Sequence, residues 1–128
     1  MRRYLPALLW LSAMYTLTAL TADLNPSPEG GIELVLYEGR QVTLHLAAYA
    51  IQAGLLAFAL NGRLSLTSGV KLMGLILLIG LGQETIQALL RGRVLAGASA
   101  FDLGVDMAGA AVGLWLAGRI LPEGGGRG

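Results

Sequence analysis

Residues 70–90 read VKLMGLILLIGLGQETIQALL, an apolar run whose charges are Lys71 near its start and Glu84 near its end, closed by Arg91-Gly92-Arg93. Crossing the hydrocarbon core of a bilayer takes about 20 apolar residues in a helix, and this run suffices. The pattern recurs three times. Residues 42–60 end at Asn61-Gly62, and residues 101–121 follow a small-residue linker and stop at Pro122. Residues 4–22 follow Arg2-Arg3 and hold no ionisable group except tyrosines. That first run is longer than the roughly 7–15 apolar residues of a secretory core, and Leu20 stands where cleavage after Ala22 would need a small residue, so it reads as an anchor. The fold class this implies is all-α, an integral membrane bundle of four transmembrane helices making one domain over residues 1–128.

Composition points the same way. The chain is 55% hydrophobic and 13% charged over 128 residues, with a mean hydropathy of +0.65, too apolar for a soluble domain of this size. A net charge of +1 lacks the clustered excess of Lys and Arg that nucleic acid requires. With no Cys and one His, disulfides, thiolate metal sites and sites built from several imidazoles are excluded. Neither a metal nor another cofactor is expected. His45, Glu84, Asp102 and Asp106 would suit, at most, an oxygen-preferring ion.

Between the runs, residues 23–41 read as a break, because NPSPEGG at 25–31 spells turns. Within it, the apolar patch 32–37 is too short to span and is expected to lie at the membrane interface. Residues 63–68 read as a polar turn, and 122–128 as a disordered tail. Arg2, Arg3, Arg63, Lys71, Arg119 and Arg127 fall on the side of the N-terminus, while Arg40, Arg91 and Arg93 fall opposite. The excess of basic residues places both termini in the cytoplasm.

Alternating crossings bring the start of the second helix, the end of the third and the start of the fourth to one face of the membrane. The polar residues gather there. His45, Tyr49 and Gln52 share a stripe at helical period, as do Glu84, Gln87 and Arg91 on the third helix and Asp102, Asp106, Gly109 and Gly113 on the fourth. Asp106 lies about 6 Å beyond Asp102 along the axis, which puts the carboxylates in the outer leaflet. Charged groups in hydrocarbon cost about 2.5–3.5 kcal/mol on insertion scales, so they face inward and pair. Two readings follow. Glu84 pairs with Arg91 or Arg93 and His45 hydrogen-bonds Asp102 merely to fix packing, or these groups form a ligand site. Gly109 and Gly113, continued by Ala117, read as a close-packing stripe, Gly80 and Gly82 as loosening the third helix, and Trp10 and Trp115 as lipid-facing or interfacial.

The ordered set His45-x-x-x-Tyr49, Glu84-x-x-Gln87, Arg93, Asp102, Gly109 and Gly113 resembles the pattern of the VanZ-like family over residues 44–116. The resemblance implies a small helix bundle in the bacterial cytoplasmic membrane, with an association to teicoplanin-type glycopeptide resistance. The chain departs from the pattern at Gln41-Val42, where relatives often carry an acidic-basic pair, and at Asp106, where they often carry Asn.

Three functions are therefore in view. The first binds or modifies an anionic or sugar-bearing membrane lipid or lipid-linked envelope precursor through His45, Tyr49, Glu84, Gln87, Arg91, Arg93, Asp102 and Asp106, the Arg side chains pairing with phosphate. The second is a membrane enzyme with His45 as general base and Glu84 or Asp102 as the candidate carboxylate; no nucleophile motif accompanies them. The third is a scaffold whose polar cluster only fixes helix packing, transport being weakest because no helix carries a carboxylate at mid-membrane.

Overall fold

Backbone polar groups in hydrocarbon must be satisfied within their own segment, which restricts a chain with four such apolar runs to helices. The computed structural model describes residues 2–21, 29–60, 65–90 and 97–121. A short 3-10 turn, Arg2–Tyr4, leads into α1 (Leu5–Thr21), followed by α2 (Gly31–Ala59), α3 (Leu66–Leu90) and α4 (Gly97–Ile120). All four are long and apolar enough to cross a membrane, and no strand occurs among the described residues. The protein is an all-α four-helix membrane bundle. Pro6 sits in the first turn of α1, where its missing N–H removes no helical hydrogen bond.

Three helices begin earlier than hydropathy suggests. Residues 32–37 are not a separate interfacial segment, since α2 is continuous from Gly31 for 29 residues, about 43 Å at 1.5 Å per residue against a core of about 30 Å. No proline interrupts residues 31–41, and charge on a helix that has left the hydrocarbon carries little penalty. Ser65 starts α3 ahead of the polar turn's end by accepting a hydrogen bond from the Ser68 N–H (3.1 Å), satisfying an orphan donor of the first turn. Likewise α4 begins at Gly97 rather than 101. Residue 1, the segments 22–28, 61–64 and 91–96 and the tail 122–128 lie outside the described residues.

Helices α2 and α4 both run away from the face opposite the N-terminus, here termed the distal face, so they pack in parallel. Gly109 and Gly113 make this the tightest interface. A Cβ on Gly109 would lie 2.9 Å from Leu46 Cα, and one on Gly113 would lie 2.8 Å from Ala50 Cα and press on the Ala50 carbonyl oxygen. The small-residue stripe is thus a backbone-to-backbone seam, as such stripes are in membranes. Around it Tyr49, Ala53 and Leu56 of α2, Leu72, Ile76 and Ile79 of α3, Ala7 and Met14 of α1 and Ala110 of α4 form the core.

Hydroxyls on the exposed helix faces bond back to their own backbone. Thr43 donates to the Gly39 carbonyl and Thr85 to the Leu81 carbonyl, each four residues back (2.8 and 2.7 Å). Trp10 is not lipid-facing; its indole N–H donates to the Ala48 carbonyl at 3.0 Å and pins α1 to α2. Trp115 does point outward, with the Arg119 guanidinium 5.2 Å from its ring centre.

Candidate functional site

The parallel seam sets the register from which the site follows. Gly109 opposite Leu46 and Gly113 opposite Ala50 place His45 level with position 108. Asp106 is then about 3 Å away along the axis and Asp102 about 9 Å. The partner of His45 is accordingly Asp106, not Asp102: His45 Nδ1 lies 2.7 Å from Asp106 Oδ1, with Asp106 1% exposed and His45 16% exposed. The Tyr49 ring lies nearly parallel to the imidazole one turn on, 6.5 Å between centres and 15° between planes.

Gly80 leaves α3 unbroken and makes room. A Cβ there would stand 2.8 Å from Leu103 Cδ1 and 3.2 Å from Asp106 Oδ2, so the missing side chain lets a leucine and the carboxylate of α4 meet the α3 backbone. Gly82 does the same for Tyr15, whose hydroxyl reaches the Ile79 carbonyl at 2.8 Å. Both glycines therefore admit polar groups instead of loosening the helix.

A second chain of hydrogen bonds crosses three helices. The Tyr49 hydroxyl donates to Gln83 Oε1 (2.7 Å), and Gln83 Nε2 donates to Thr18 Oγ1 (2.7 Å). Gln83, Thr18 and Tyr15 are absent from the polar stripes read in the sequence. Gln83 nonetheless stands four residues before Gln87, on the same face of α3, whereas α1 has no ionisable group to mark an inward face. A polar amide in an apolar run was the available signal. Gln52, one turn below Tyr49, is 1% exposed, and its Oε1 lacks a hydrogen-bond partner among the described residues.

Above these layers opens a cavity of about 510 Å³ towards the distal face, bounded by all four helices. Its polar lining comes from Thr18 and Thr21 of α1, Glu38, Gln41 and His45 of α2, Gln83 and Gln87 of α3 and Asp102 of α4; Tyr37, Tyr49 and Phe101 add rings, and Met14, Leu17, Leu44 and Ala48 an apolar wall. The volume falls in the range of small-molecule sites. Among the expected site residues, His45, Tyr49, Gln87 and Asp102 line this space, Asp106 stands buried behind His45, and Glu84 is buried on α3 at 5% exposure. Arg91 and Arg93 lie outside the described residues, so the expected pairing of Glu84 with either does too. No Lys or Arg lines the cavity among the described residues, and none of their His, Asp and Glu groups gathers in threes around a metal-sized point. Glu38, Gln41 and Tyr37 enter the site because α2 extends beyond its apolar run.

No family model, curated protein or solved structure matches the chain.

Proposed function

We propose that the protein binds the polar head of a membrane lipid or lipid-linked envelope precursor in the distal cavity. The observation that carries this reading is the amphipathic lining of one space spanned by all four helices, with an apolar wall from Met14, Leu17 and Leu44 beside carboxylates, amides and rings. Of the two headgroups expected from the sequence, the sugar-bearing one is supported. Glu38, Asp102, Gln41 and Gln87 accept from and donate to hydroxyls, and the Phe101 ring offers a face for a sugar to stack on, while the Arg40 guanidinium lies over the Tyr37 ring at 5.8 Å. Glu38 stands in the space against an anionic head, and no Lys or Arg is among the described residues that line it.

The Gly109 and Gly113 seam already holds α2 and α4 in register through backbone contact. A polar cluster is therefore unnecessary for that packing, which favours a site over a scaffold. On the VanZ-like reading, the site lies in a bacterial cytoplasmic membrane with both termini inside, and expression lowers teicoplanin susceptibility. The test is native mass spectrometry of detergent-purified protein. A retained lipid of defined mass is expected, lost on Ala48→Trp, which fills the cavity, and weakened by Asp102→Asn. A lipid profile identical in all three proteins refutes the reading.

A further inference from the structure

The geometry points to His45 and Asp106 as a general-base dyad that activates a hydroxyl in the distal cavity for attack on a carboxylic ester. The inference rests on the cavity reading above and adds chemistry to it. Asp106 is 1% exposed and places Oδ1 2.7 Å from His45 Nδ1. A carboxylate can only accept there, so the neutral imidazole carries its hydrogen on Nδ1 and presents a bare lone pair at Nε2. Nε2 has no hydrogen-bond partner among the described residues and is not among their buried unpartnered atoms, and His45 lines the cavity. The lone pair is thus open to an occupant. The stack on Tyr49 and the bond to Asp106 fix the ring from two sides, the positioning that a base needs to act in a transition state.

The step is balanced within the cavity. The O–H bond of a bound water or sugar hydroxyl breaks, its electron pair forms the new bond to the ester carbonyl carbon, and the proton rests on Nε2 beside the Asp106 carboxylate. The carbonyl is restored as the old C–O bond breaks, and the departing alkoxide takes the proton from Nε2 and leaves as alcohol. A carboxylic ester is favoured over a phosphoester because the Glu38 carboxylate lines the space, and no Lys or Arg among the described lining residues meets phosphoryl oxygens. Gln87 supplies an amide donor on the same wall for the oxygen that gains charge. His45 is then the catalytic residue and Asp106 its positioning residue.

Because the chain has a single His, 15N-histidine labelling of the full-length protein in micelles reports one imidazole. The expected spectrum shows Nδ1 protonated and Nε2 bare, shifting to a mixed tautomer in Asp106→Asn. In the same preparation, wild type is expected to hydrolyse p-nitrophenyl butyrate above the micelle blank, His45→Gln to fall to that blank, and Asp106→Asn to lose about 100-fold or more. A wild-type imidazole protonated at Nε2 overturns the dyad without recourse to any variant, as does a wild-type rate equal to the blank. Retained lipid without ester turnover refutes the dyad alone, whereas ester turnover without retained lipid refutes the lipid reading and leaves the dyad standing.

Discussion

Replacing Gly113 by Ala tests the seam on which the site's register depends. The added methyl would lie 2.8 Å from Ala50 Cα and carbonyl carbon and overlap the carbonyl oxygen. Carbon atoms rest at about 3.5 Å or more, so α2 and α4 must part by at least about 0.7 Å, and further to clear the carbonyl oxygen. The neighbour is backbone, and no rotamer change relieves it. A gap of 0.5–1 Å forfeits about a quarter to a half of each dispersion contact along the interface, and overpacking of this kind costs about 1–3 kcal/mol. The matched control is Gly104→Ala on the same helix, where a Cβ meets nothing within 4 Å. That change gains about 0.5–1 kcal/mol from helix propensity alone. Equilibrium unfolding in mixed SDS micelles, followed by circular dichroism, should separate the two variants by about 1.5–4 kcal/mol. Equal stability of Gly113→Ala and Gly104→Ala would refute the close α2–α4 contact, and with it the argument that the seam pairs His45 with Asp106.

Gln83→Leu removes both bonds of the Tyr49–Gln83–Thr18 chain; at about 0.6 kcal/mol for an average interhelical bond in a membrane, the loss should be about 1 kcal/mol in the same assay, and an unchanged midpoint would show the chain to be absent. The chain's two tryptophans should differ in lipid contact: brominated lipid quenches Trp10→Phe, which retains the 59% exposed Trp115, more strongly than Trp115→Phe, which retains the half-buried Trp10, and equal quenching would contradict the Trp10 bond to Ala48.

The span count and the shared distal face of the polar stripes were legible because each depends on local sequence alone. A run of about 20 apolar residues specifies a crossing, and alternation of crossings then sorts the ends. Helix starts were read less well. Glu33, Glu38 and Arg40 lower the hydropathy of residues 31–41, but a helix persists wherever its own hydrogen bonds do, inside the hydrocarbon or out of it. Those extra turns of α2 deliver Tyr37, Glu38 and Gln41 to the cavity.

By itself, then, the sequence determined four helices, their alternation and the faces carrying His45, Tyr49, Gln87, Asp102 and Asp106. Only the tertiary structure decided the partners. Asp102 and Asp106 are one turn apart and equally eligible by periodicity, and the choice between them is an axial offset of about 6 Å set by where Gly109 and Gly113 seat on Leu46 and Ala50. The entry of Gln83, Thr18 and Trp10 into the polar framework was likewise a matter of packing, since a neutral side chain shows its inward face only when another helix offers it a hydrogen-bond partner.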